Sequence, residues 1–69
     1  MDSEQFHKEV ATLVVKAMSR YNITSIKLAE YCEVKVGTIH FIRVGIPVNT
    51  SDLIKVLSLL NIRLEVKWL

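Results

Sequence analysis

The chain has 69 residues, a hydrophobic fraction of 51%, nine basic and seven acidic side chains and a net charge of +2. A chain this short holds one domain and buries only about 60% of the surface its unfolded form exposes, so it needs a dense core or a partner chain. With one cysteine, Cys32, and two histidines, His7 and His40, it has no internal disulfide and no credible closed zinc site, while the weak positive charge argues against a nucleic-acid-coating protein without deciding specific binding.

The first element runs from Ser3 to Tyr21, where Phe6, Val10, Leu13, Val14, Ala17, Met18 and Tyr21 recur at spacings of three and four. That is the period of an amphipathic helix, with Ser3 or Asp2 as its N-cap and Glu4 in its positive first turn. The same stretch opens with MDSEQFHKEV, which is charged rather than signal-like, and no apolar run in the chain approaches the roughly 20 residues of a membrane span. The expectation is a soluble cytoplasmic protein with no membrane contact.

"NIT" at residues 22–24 ends this helix, because Asn22 tolerates the left-handed conformation and Thr24 can cap the next one. A short second helix, SIKLAEYC, offers Ile26, Leu28, Ala29 and Cys32 to the interior. Glu33 and Val34 break the chain before a third helical segment, Val36 to Val44, whose buried stripe is Ile39 and Ile42 and whose C-cap is Gly45. After the loop IPVNTS, Thr50 or Asn49 caps a fourth helix in which Leu53, Val56, Leu57 and Leu60 face inward, with Asn61 at its end.

The tail changes period. Ile62, Leu64, Val66 and Trp68 alternate with Arg63, Glu65 and Lys67, the two-residue repeat of a half-buried strand. No second strand signal of that quality accompanies it, and a lone strand leaves its backbone groups unpaired. The economical solution is the same strand from a second copy, paired antiparallel across a two-fold axis with Leu64, Val66 and Trp68 in the dimer interface. The expected fold is therefore mainly α: four helices over residues 1–61 and one dimerising strand over 62–69.

Two short helices joined by a tight turn, with a long helix before and another after, form the arrangement that holds an exposed helix for the major groove of DNA. Within TSIKLAEYCEVKVGTIHFIRVG, the residues Leu28, Ala29, Val34, Thr38, Ile39, Ile42 and Gly45 resemble the lambda-repressor-like helix-turn-helix family, also known as the Cro/phage-repressor or XRE family, with the motif over about 25–44. LIKVLSLLNI is similar to that family's fourth helix, so the resemblance covers about residues 6 to 62. The packing logic stands without it: Ala29 is small where two helices cross closely, and Leu28, Val34, Ile39 and Ile42 set their angle. Two departures stand out. Glu33 replaces the usual glycine of the turn, and Arg43 stands where the family often has glutamate, which removes an internal ion pair and leaves a cation at the helix end.

The resemblance implies that Val36, Gly37, Thr38, His40 and Phe41 face DNA bases. Phosphates would be held by Lys35, Arg43, Lys27, and Ser25 with the amides that begin its helix. This face lacks the Arg, Asn and Gln side chains that make bidentate bonds to bases; Val36 and Phe41 suit thymine methyls, and Thr38 and His40 supply hydrogen bonds. The bland alternatives are that Val36 and Phe41 are buried against a partner or the fourth helix, that His40 is a plain polar surface group, that His7 is inert in solvent, and that Cys32 is a small buried hydrophobe.

The leading functional expectation is a homodimeric transcriptional regulator of phage Cro or antitoxin type. It would bind double-stranded DNA at an inverted-repeat operator and act as a repressor, with a toxin or other regulatory protein as a second partner in the antitoxin case. The competing expectation is a protein-interaction module in which the apolar helix 36–44 and the terminal strand dock on a partner protein. No nucleophile with its base, carboxylate dyad, glycine-rich phosphate loop or metal-ligand set is present, so neither an enzyme nor a bound cofactor or metal is expected.

Overall fold

The computed structural model describes residues 3–62. They form four helices in chain order: α1 Ser3–Tyr21, α2 Ser25–Cys32, α3 Val36–Arg43 and α4 Thr50–Leu59. No strand occurs among the described residues, and the terminal alternation expected to form a dimer strand, including Leu64, Val66 and Trp68, lies outside them. None of these helices is long and apolar enough to cross a membrane.

Three of the helices carry favourable residues at their starts. Glu4 lies in the first turn of α1 and Arg20 in its last, each matched to the helix dipole. Thr24 caps α2, its Oγ1 accepting from the Lys27 amide at 3.2 Å. Of the two candidates for the start of α4, the structure selects Asn49, whose Oδ1 accepts from the Ser51 amide at 2.8 Å. By contrast with α2 and α4, α3 starts without such a bond: Lys35 occupies the cap position in an extended conformation and its side chain caps nothing.

All four helices stop in the same way. Just past each end one residue enters the left-handed region: Asn22 at φ 56°, Glu33 at 57°, Gly45 at 82° and Asn61 at 56°. Its amide donates back three residues, and the next residue's amide donates back five. The second bonds are Ile23 to Met18, Val34 to Ala29, Ile46 to Phe41 and Ile62 to Leu57, at 2.9 to 3.1 Å. This is the Schellman termination, in which an apolar residue just past the helix folds back over its last turn. Ile23, Val34 and Ile62 accordingly pack against the core. The third helix is one residue shorter than the sequence suggests, since Val44 is its cap and Gly45 takes the left-handed position.

Glu33 keeps the left-handed turn despite its side chain, at a cost of about 1 kcal/mol that glycine avoids. Replacement Glu33→Gly is therefore expected to raise the unfolding free energy by up to about 1 kcal/mol, less what glycine loses in unfolded-chain entropy. A urea titration showing destabilisation instead would mean that the carboxylate makes a contact of its own.

The core draws on every helix. Val10, Val14 and Met18 of α1 meet Leu28, Ala29 and Cys32 of α2, Ile39 and Ile42 of α3, and Leu53, Val56, Leu57 and Leu60 at α4. The second helix packs on both α3 and α4, while α1 packs on α3. Ala29 is buried, as expected for a close crossing. Three residues assigned to the interior by period alone are exposed instead. Leu13 lies about 100° round the helix from Val14, at the margin of the buried stripe, and Tyr21 is the last residue of α1, beyond the helices that cover it. Ile26 is 64% exposed, because two residues of helix carry it about 200° away from Leu28. Ser25 occupies the buried place in its stead.

Candidate functional site

The third helix has two unlike sides. Ile39 and Ile42, at 0% and 3% exposure, lock one side into the core. At about 100° per residue, Gly37 and Val44 fall in the middle of the opposite side, Phe41 and His40 flank them, and Val36 and Thr38 lie toward its margins. Exposure matches that placement: Val44 is 68% exposed, Phe41 51% and Val36 40%, His40 is exposed and Thr38 half-buried. Neither Val36 nor Phe41 is therefore buried under the fourth helix. Val44, which the sequence places within the helical segment but outside its base-reading set, is the most exposed large apolar side chain among the described residues. Its position seven residues after Gly37 and three after Phe41 is the signal that links it to this side.

Gly37 is open on its outer side. A Cβ built there meets nothing within 4 Å beyond its chain neighbours and the adjoining helix backbone, so packing among the described residues does not require glycine at this position. An alanine would even favour the helix by up to about 1 kcal/mol. The packing inside the protein thus gives no reason for this residue.

The cations near α3 are not equivalent. Lys35 sits at the start of the helix and is exposed. Lys27 is also exposed and pairs with Glu30 one turn further along α2, at 3.5 Å. Such a solvated pair contributes little and yields readily to another anion.

Arg43 is committed. Its Nη1 donates to Ser25 Oγ at 2.8 Å, tying the last residue of α3 to the first of α2. Ser25 is buried, and this bond gives its hydroxyl a partner. The residues expected to hold phosphate, Ser25 and Arg43, are therefore brought together, but as one linked pair rather than two separate contacts. A guanidinium carries five N–H donors, so several remain after this bond.

The remaining reactive types are quiet. Cys32 is buried, and burial pushes its thiol above the ordinary value, with the charge of Lys55 opposing the shift. Its Sγ lies 3.9 Å from the Lys55 carbonyl oxygen. His7 is half-buried rather than free in solvent, and its ring meets Phe6 edge-on at 5.2 Å. Among the described residues, no three His, Cys, Asp or Glu side chains converge in a way that could hold a metal ion.

Compared with known proteins, the chain matches no family model, no curated protein and no solved structure.

Proposed function

We propose that this chain is a sequence-specific DNA-binding regulator that inserts α3 into the major groove and acts as a homodimeric repressor. The observation that carries the reading is the two-sided character of α3. One side is fixed in the core by Ile39 and Ile42; the other is bare, with an open glycine at its centre. A short helix held rigidly from behind and stripped of cover in front is what groove reading needs.

Supporting features surround it. Three residues separate α2 from α3, and the two helices pack on each other. Lys35, Lys27 and the Arg43–Ser25 pair would bind phosphates and set the register, while Val36, Gly37, Thr38, His40 and Phe41 meet the bases. The order of the four helices, and the spacing of Leu28, Ala29, Val34, Thr38, Ile39, Ile42 and Gly45, are similar to those of lambda-repressor-like regulators. Dimerisation through Leu64, Val66 and Trp68 would place two such helices about one turn of DNA apart, roughly 34 Å. A toxin-type protein is a further partner in keeping with the short antitoxins that share this pattern.

The test is selection of bound duplexes from a random DNA pool by the purified full chain. An enriched inverted repeat is expected; an enriched single half-site would retain DNA reading and remove the dimer. The exposed Val36, Phe41 and Val44 also favour a second reading, in which this helix docks in an apolar groove of another protein. A folded chain that enriches no sequence would support that reading instead.

A further inference from the structure

Resting on the DNA-binding reading above, we infer that the chain recognises its half-site mainly through the C5 methyl groups of thymine, packed against Phe41, Val44 and Val36, and not through the hydrogen-bonding edge of guanine. The reason lies in what α3 offers outward. Its exposed side holds three large apolar side chains, one glycine and only two hydrogen-bonding groups, the Thr38 hydroxyl and the His40 imidazole. Guanine is read best by a guanidinium or ammonium that spans two acceptors at once, and adenine by an amide that pairs a donor with an acceptor. Neither Thr38 nor His40 presents such a fork.

The single guanidinium of α3 belongs to Arg43, and it is drawn toward α2 by its 2.8 Å bond to Ser25. On the helix wheel Arg43 falls about 200° from Phe41 and about 20° from Val36, at the margin of the outward side. What holds its guanidinium off the bases is the bond to Ser25.

What remains is apolar surface, and the major groove has one apolar projection to match it, the thymine methyl. Gly37 makes the match physically reachable. With no Cβ at Gly37, and nothing beyond its own stretch of helix within 4 Å of where one would stand, the helix backbone can close on the groove floor, carrying Phe41 and Val44, one and two turns further along, into contact.

The test replaces thymine by uracil in the selected duplex, which removes the methyl and leaves every hydrogen-bonding group in place. Burial of one methyl group corresponds to about fourfold in affinity, so uracil at one contacted position in each of two half-sites is expected to weaken binding roughly 15-fold. The variant Phe41→Ala, an exposed position whose folding circular dichroism can verify, is expected to bind thymine and uracil duplexes with nearly equal affinity. Equal binding of both duplexes by the unaltered protein, or an enriched half-site without thymine, would overturn the methyl reading and leave DNA recognition standing. Failure to enrich any duplex would overturn both.

Discussion

Replacement of Ile39 by alanine is expected to lower the unfolding free energy by about 2 to 5 kcal/mol, the range for removing a large aliphatic side chain from a packed core. The residue is fully buried on a helix that packs against both α1 and α2. A cavity there cannot close by the shift of one helix alone, since α3 is held from two directions. For a domain of this size the whole stability is roughly 3 to 10 kcal/mol, so the variant loses a large share of it or unfolds. The control is built into the same chain. Ile26→Ala removes the same atoms from a position 64% exposed, and is expected to change stability by less than about 0.5 kcal/mol. Urea midpoints at matched slope measure both; equal losses would mean that the helices are packed in another register.

The double replacement Thr38→Ala with His40→Ala is expected to weaken sequence preference, leaving the share carried by the apolar contacts of Phe41, Val44 and Val36, while sparing general DNA affinity. A single hydrogen bond contributes about 0.5 to 1.5 kcal/mol net, so two together represent roughly 5- to 150-fold between the selected duplex and a scrambled one. Phosphate contacts from Lys35, Lys27 and Arg43 are untouched and carry no sequence information. The fold should hold, because His40 is exposed, Thr38 is half-buried and alanine is the better helix former at both places. Affinities for both duplexes at one salt concentration decide the matter, since salt itself moves phosphate binding by orders of magnitude. A parallel loss on both duplexes would assign these residues to general adhesion and not to base reading.

The amphipathic period carries most of the architecture. It places α1 and α2 at their observed bounds and supplies the inward residues Val10, Val14, Leu28, Ile39, Ile42, Leu53, Val56 and Leu57. Period fails at the margin of a stripe, where Leu13 is left uncovered, and at a helix end, where Tyr21 outruns its neighbours. Ile26 departs for a different reason: its apolar chemistry suggests an interior place that its angular position opposite Leu28 denies. The buried Ser25 illustrates the converse. A serine has no apolar signature, and its partner Arg43 stands 18 residues away, so neither its burial nor the bond between them is legible without the fold. That bond changes the candidate site, because it converts the cation expected at the helix end into part of a brace between two helices. The left-handed turn at Glu33 is legible as a strained position, and the structure keeps it at φ 57°.

The four matching helix ends bear on how the chain folds. The helices α2 and α3 have only eight residues each, too few to persist alone in water. Together they span residues 25–43, and a single continuous helix over that stretch is the obvious competing structure. The left-handed residue at Glu33, with Val34 folded back on Ala29, makes the interruption a local property of a few consecutive residues. Since Glu33 costs about 1 kcal/mol in that conformation, it is the packing of Val34, Ile39 and Ile42 in the core that favours two short helices over one long one. Each helix C-terminus is set by bonds that reach back no more than five residues, and refolding is expected in the microsecond to millisecond range of helical proteins whose contacts are mostly local.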